Sequence, residues 1–444
     1  MRSSTRLLLW LVPAIAAAQD RQELKEILDR LARVEEQNRM LVDEVRALRK
    51  ELAESRAGAP AAPSAPPVEE RLEVAENRIA EQAQSKLESD HRSPVQLTGM
   101  VLFNAWLNGR SNGDSFNPTT ASASTGQFLG GGTFRQSVIG LKFQGPRIAG
   151  GGNVSGSVYM DFFAGTASSL NQLFRLRLAT VDLNWRNTTV SVGQDKPIIA
   201  PREPDSLAQV GVSPLTAAGN LWLWQPQARV EQRFHLSDST ILRGQFGVFQ
   251  TSESYPGLSA EYRAATASAR PSAEGRVEIS HQFRGVSYIE VAYGIHASQS
   301  HVHGVSLPSR IYSFDWLIRP FARLDITGAY FTGQNVSVTG SIRQGITFFG
   351  ENGRSVHSQG GWAQLALRPT SRLSFHLYGG AQDDRNADLL AGAIGRNMIY
   401  AANVMYRVGP NLLASFEASQ VRTSYLGSGL RLNPHYDLAL AYLF

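Results

Sequence analysis

The sequence predicts an all-β fold, a 16-stranded antiparallel transmembrane β-barrel preceded by an N-terminal periplasmic coiled-coil helix. Three observations predict it. From Val95 to Phe444 the apolar residues recur with period two in sixteen segments, most of nine to thirteen residues. A membrane-crossing barrel strand needs ~9–11 residues. The connections between segments alternate short and long, seven short and eight long. That count places both ends of the sheet on the short-turn side, as in outer-membrane barrels. The final segment carries Tyr436, Leu438, Leu440, Tyr442 and Phe444 in strict alternation with Asp437, Ala439, Ala441 and Leu443. Such a stripe suits a lipid-facing wall with an aromatic girdle. A soluble sandwich would have to bury it elsewhere.

Residues 1–18 read as an export signal. Arg2 and Arg6 form a basic start, Leu7 to Ile15 an apolar core, and Ala16-Ala17-Ala18 a small-residue cleavage site. The apolar run is too short for a membrane-spanning helix, which needs ~20 residues.

Residues 19–56 carry a heptad pattern. Leu24, Leu31, Asn38, Val45 and Leu52 fall at a, and Ile27, Val34, Leu41 and Leu48 at d. A period of 3.5 implies a left-handed coiled coil and hence an oligomer. Asn38 at an a position specifies register at a cost in stability; dimer and trimer both remain open. Residues 57–67 (AGAPAAPSAPP) form a Pro/Ala linker that cannot continue a helix. Residues 68–94 are a short helical or linker segment, and 95–444 are the barrel domain.

The sixteen segments are 95–107, 134–144, 153–163, 173–185, 188–196, 226–236, 239–250, 274–284, 286–298, 309–319, 322–333, 358–368, 371–381, 396–408, 410–422 and 432–444. The phase slips in 173–185, where Leu176 and Leu178 are even but Val181 and Leu183 are odd; a bulge near Ala179 and Thr180 would restore it. The long connections include 197–225, 251–273, 299–308 and 423–431.

Charge is divided unevenly. The chain has 444 residues, a net charge of +5 and no cysteine. Residues 1–94 hold 15 Lys+Arg against 17 Asp+Glu, and residues 95–444 hold 28 against 21. In the second part only Lys142 and Lys196 are lysines, and the arginines are spread singly. This is not the clustered footprint of a nucleic-acid binder. The lack of cysteine excludes disulfides, thiolate metal sites and thiol nucleophiles.

The stretch Val-Ser-Val-Gly-Gln-Asp at 190–195, a long Pro-rich loop, and Gln-Pro-Gln-Ala-Arg at 225–229 resemble the DcaP-like porins, with the phosphate-selective porins O and P as more distant relatives. The signal, coiled coil, linker and Phe-ended barrel are similar to that family as well. The resemblance implies that 190–233 holds strand five, an inward-folded constriction loop and strand six. It implies a trimer that passes small, often anionic, solutes through the outer membrane of a Gram-negative bacterium, with the stalk in the periplasm. Tyr442 and Phe444 would be the signal read by the barrel-assembly machinery.

With the apolar phase facing lipid, the inward basic residues are Arg175, Arg177, Arg229, Arg233, Arg243 and Arg276. The inward acids are Asp161, Glu231, Glu278, Glu290, Asp315 and Glu417. The constriction loop contributes Lys196, Arg202, Glu203 and Asp205, stiffened by Pro197, Pro201, Pro204 and Pro214. Charge rings at a narrow point set selectivity, and planar guanidinium suits carboxylate and phosphate. The expected function is a passive diffusion channel for small hydrophilic solutes with an anion preference. Pairing of the arginines with neighbouring acids, serving only to brace the wall, is the competing reading. An envelope tether acting through the coiled coil, or an adhesin acting through the long loops, is the alternative from another class.

Nothing points to an enzyme or a cofactor. His301 and His303 lack a third ligand. No G-x-S-x-G elbow, P-loop or dinucleotide fingerprint is present.

Overall fold

Alternation of apolar and polar side chains becomes, in three dimensions, an inside-out protein. In the last strand Leu438, Leu440 and Tyr442 are 58%, 48% and 53% exposed, whereas Asp437, Ala439 and Ala441 between them are buried. The apolar face points outward and the polar face inward. Hydrocarbon is the surrounding that makes this arrangement favourable, because each large apolar side chain gains about 1.5–3 kcal/mol by leaving water.

The computed structural model describes residues 95–165, 172–250, 271–283, 285–302, 305–342, 344–350 and 352–444. The signal 1–18, the coiled coil 19–56, the linker 57–67 and the segment 68–94 lie outside the described residues, as do most of loop 251–273 and His303.

The strands are β1 (Val95–Asn108), β2 (Leu129–Thr133), β3 (Val138–Ile148), β4 (Gly152–Ala164), β5 (Leu173–Asn184), β6 (Thr188–Asp195), β7 (Gln225–Ser237), β8 (Thr240–Phe249), β9 (Ser272–Gln282) and β10 (Tyr288–Val302). They continue as β11 (Val305–Phe321), β12 (Leu324–Gln334), β13 (Ile346–Phe349), β14 (Asn352–Ser355), β15 (His357–Leu367), β16 (Leu373–Asp384), β17 (Ile394–Arg407), β18 (Leu412–Tyr425) and β19 (Gly429–Leu443). Both β2 and β3 pair with β1, so they are two pieces of one barrel strand. β13 and β14 form a separate hairpin within the connection from β12 to β15. The remaining neighbours are antiparallel throughout, and β19 pairs with β1 with Val101 opposite Tyr442. Gly99 N–H donates to Phe444 O at 2.9 Å, and Phe444 N–H to Gly99 O at 3.1 Å. The result is a closed 16-stranded antiparallel barrel. Closure leaves no sheet edge and satisfies the backbone within hydrocarbon.

Each sequence segment corresponds to one barrel strand, with four corrections. The segment 134–144 is displaced: residues 129–133 form β2, 134–137 are not strand, and β3 runs on to Ile148 into the expected turn 145–152. The stretch 299–308 is largely strand, since β10 runs to Val302 and β11 begins at Val305. The connection at 423–431 shrinks to residues 426–428 for the same reason. The phase slip in β5 occurs at Arg177: Tyr159 pairs with Leu178 and Met160 with Leu176, leaving Arg177 as the extra residue. The sequence placed it two residues later, because Leu178 looked like part of the outer face. It pairs instead with Tyr159 on the inner phase.

Candidate functional site: the inward loop and the charged lumen wall

Residues 196–224, between β6 and β7, run inside the barrel. Their contacts show it. Ile198, Ile199, Leu215, Ala218 and Leu221 are fully or almost fully buried. Leu215 and Ala218 pack with Trp362, Tyr378 and Ile399 of β15, β16 and β17. Ile199 and Leu221 pack with Ile311 and Phe331. Gly219 adopts φ +99, and its α-carbon lies so close to the Gly361 backbone that a Cβ has no room. Only glycine fits that approach and that left-handed geometry.

Polar anchors fasten the loop around the circumference. Glu274 Oε2 of β9 accepts the backbone N–H groups of Ile198 (2.7 Å) and Ile199 (3.3 Å). Ser313 of β11 donates to Ile199 O at 2.9 Å. Asn104 of β1 donates to Leu207 O at 2.9 Å. Gln136 donates to Ala208 O and accepts from Val210 and Gly211, each at 2.8 Å. Asn397 of β17 donates to Ala217 O at 2.9 Å. Gln136 reaches the loop because residues 134–137 interrupt the strand between β2 and β3. Sequence reasoning missed Glu274, Gln136, Asn104 and Asn397. Glu274 was legible, since it shares the inward phase of Arg276 and Glu278. The interruption at Gln136 leaves no pattern signal.

The charged loop residues have fixed partners. Lys196 Nζ lies 2.6 Å from Glu203 Oε1, and Ser213 Oγ donates to Glu203 Oε2 at 2.6 Å. Burial pushes the Glu203 carboxyl up, but the Lys196 ammonium and these two hydrogen bonds outweigh it and hold the group below the usual glutamate range. Arg202 pairs with Glu290 of β10 and donates from Nε to Asp315 Oδ1 of β11 at 3.0 Å. Asp205 exchanges two 2.7 Å hydrogen bonds with Gln364 of β15 and lies 3.4 Å from His376 of β16. Burial raises the Asp205 carboxyl; the hydrogen bonds from His376 and Gln364 lower it by more.

All six inward arginines are paired. Arg243 of β8 sits among Glu231, Glu278 and Glu290. Arg276 of β9 grips Asp315 with Nε at 2.9 Å and Nη2 at 2.8 Å, and its Nη1 lies 2.7 Å from Glu278. Arg233 lies 2.6 Å from Glu231 on the same strand. Together with Arg202 these make four guanidinium groups interleaved with Glu231, Glu278, Glu290 and Asp315, a balanced set. Arg229 pairs with Asp195 at 2.7 Å. Among the described residues Glu417 of β18 has no cation within 4 Å; it accepts from Ser206 of the loop (2.6 Å) and Asn403 (3.0 Å).

The wall of β4 and β5 differs. Arg175 and Arg177 share a single carboxylate, fully buried Asp161, at 2.6 and 3.0 Å. The bulge at Arg177 allows both to reach it. Each also donates to a loop carbonyl, Arg175 to Gly211 and Arg177 to Val210. Their guanidinium planes face Trp224, 5.1 and 4.7 Å from its centroid, and Arg175 also faces Phe163 at 4.9 Å. Buried Arg135 lies 5.2 Å from Phe163 and donates to the carbonyls of residues 162–165. Cation–π contact stabilises such a cluster by about 0.5–2 kcal/mol per pair. Positive charge therefore exceeds negative charge here, and nowhere along the balanced set. A cavity of about 90 Å³ beside Arg177, Glu203 and Trp224 lies within the folded loop.

Among the described residues no three His, Asp or Glu side chains are placed to hold a metal ion.

A closed sixteen-stranded barrel with a long connection folded into its lumen is the architecture of outer-membrane channels. No protein-family model and no curated protein matches the sequence. Solved structures do match the fold. The crystal structure of the outer membrane channel DcaP of Acinetobacter baumannii superimposes with a TM-score of 0.62 at 15% identity, covering 79% of this chain and 97% of that one. An anion-selective porin from Comamonas acidovorans gives 0.54 at 12% identity, over 79% and 99%.

Proposed function

We propose that this protein is an outer-membrane porin, a passive diffusion channel for small hydrophilic solutes with a preference for anions such as carboxylates and phosphates. The observation that carries the reading is the surplus of guanidinium around Asp161. Arg175, Arg177 and Arg135 stand there against one carboxylate, beside a loop held across the lumen by hydrogen bonds from β1, β9, β11 and β17. The interleaved arginines of β7, β8 and β9 brace the wall instead, because their charge is cancelled by partners within a few ångströms. The anion preference is accordingly weak, because most of the inward arginines are neutralised and no full ladder is left.

The assembled form in this reading is a homo-oligomer, a trimer, with the heptads of residues 19–56 as a periplasmic stalk. The apolar outer wall contacts membrane lipid, and the terminal stripe through Tyr442 and Phe444 is read by the assembly machinery. The protein binds no nucleic acid, carries no cofactor and is not an enzyme.

Reversal potentials in a KCl gradient across a planar bilayer test the reading. A potential of the sign set by chloride is expected, and a cation-directed potential at neutral pH overturns the anion preference. Absence of conductance steps overturns the channel.

A further inference from the structure

On the short-turn side of the inward loop the lumen wall changes partners. Arg319 and Arg368 grip one carboxylate, Asp325, at 2.6 Å each. Asp205, which faces the same space, is held by Gln364 and His376. Two further arginines stand beside them. Arg372, in the turn before β16, has no carboxylate within 4 Å among the described residues, and neither has Arg407 at the end of β17. Arg407 Nη1 donates to the Pro410 carbonyl at 2.7 Å.

These two line a cavity of about 360 Å³ with Leu207, Met405 and Leu413. The cavity opens inward: Met405 pairs with Ser374 and Arg407 with Leu413, on the phase of buried His376, whereas Phe375 and Leu377 are exposed outside. A neighbouring subunit on the outer wall therefore leaves it uncovered. One part of the lining offers guanidinium donors and another offers apolar side chains. Pockets of this kind orient a ligand through a few polar groups and hold it through apolar contact. Inorganic phosphate uses only the first part.

We propose that this mouth is a second anion subsite, separated from the Asp161 cluster by the folded loop, that takes small organic anions: a carboxylate or sulfonate on an apolar body, held by Arg372 and Arg407 against Leu207, Met405 and Leu413. The proposal rests on the channel reading and deepens it. It gives the pathway two basic stations, one on each side of the constriction.

Calorimetric titration of the full-length protein in detergent with benzenesulfonate tests it, alongside current block in planar bilayers. The wild-type protein is expected to bind benzenesulfonate at least tenfold more tightly than inorganic phosphate. Arg372→Gln with Arg407→Gln should weaken benzenesulfonate at least tenfold and leave the sign of the KCl reversal potential unchanged. Arg372→Lys with Arg407→Lys should retain binding within about threefold, which separates loss of charge from loss of folding. Equal affinity for phosphate, or unchanged benzenesulfonate binding in the Gln variant, overturns the subsite. A cation-directed reversal potential with intact benzenesulfonate binding overturns the anion-channel reading and leaves the subsite standing.

Discussion

One oxygen of the Glu274 carboxylate accepts the backbone N–H of Ile198 at 2.7 Å, tying strand β9 to the first turn of the inward loop. The same oxygen takes Ile199 N–H, and the other lies 2.9 Å from His296 Nδ1. All of these groups are buried. Each buried donor left without a partner costs about 1–3 kcal/mol. Glu274→Ala is therefore expected to release the start of the loop and raise open-channel noise, with a larger mean conductance. Single-channel recording checks it; wild-type noise and conductance would place the anchoring elsewhere.

Asp161 and its two arginines give a prediction with opposite signs. Asp161→Asn removes the carboxylate that Arg175 and Arg177 share, so anion preference should rise. Arg175→Ala with Arg177→Ala removes the surplus, so anion preference should fall. Reversal potentials in a KCl gradient read both. Shifts in the same direction would exclude this cluster from selectivity.

The balanced set should behave as a brace. Arg276 is buried against Asp315 and Glu278. Removing one partner of a buried ion pair typically costs about 3–5 kcal/mol, because the other charges stay uncompensated. Arg276→Ala is expected to lower the thermal or denaturant midpoint of the folded barrel on gel mobility, and also to shift the reversal potential toward cations. An unchanged midpoint would show that β10 and β11 reorganise around the loss.

The Lys196–Glu203 clamp carries a pH dependence. The Glu203 carboxyl lies below its usual value, so the folded loop binds this proton more weakly than the unfolded chain does. Its stabilising contribution is complete above the ordinary glutamate range, about pH 4.3. It is lost as pH falls through the lower folded value. Loop noise should stay flat from pH 7 down to about 4.3 and rise only below that. Glu203→Gln should raise noise at neutral pH and abolish the acid step. A noise transition near pH 6 in the wild type would point to a histidine instead.

Much of the barrel was legible because membrane strands obey a two-residue period over a fixed thickness. Val101, Phe103, Leu438 and Leu440 advertise their face without reference to any partner. The turns were legible to within a few residues, and they failed where strands project beyond the band: nothing in the sequence at 299–308 distinguishes a loop from a hairpin extended into water. Phase assigned the charged residues to the inward face, but phase says nothing about pairing. Arg276 and Arg175 look alike in sequence; one is cancelled by Asp315 and Glu278, and the other shares Asp161 with Arg177. Arg372 and Arg407 fall in or beside turns, where alternation ends, and their cavity exists only because the loop lies above it.

The sequence by itself determined the strand number, the outward apolar face, the inward polar face and the Pro-rich loop between β6 and β7. Those properties are local: they follow from period, length and the cost of placing polar groups in hydrocarbon. The tertiary structure alone decided where this loop is anchored on the lumen wall, which arginines are neutralised and where positive charge is left over. Electrostatic balance depends on distances between residues on different strands. Asp161 and Arg177 are opposed only because a bulge rotates one strand against its neighbour, and Glu274 meets Ile198 only because the barrel closes around them.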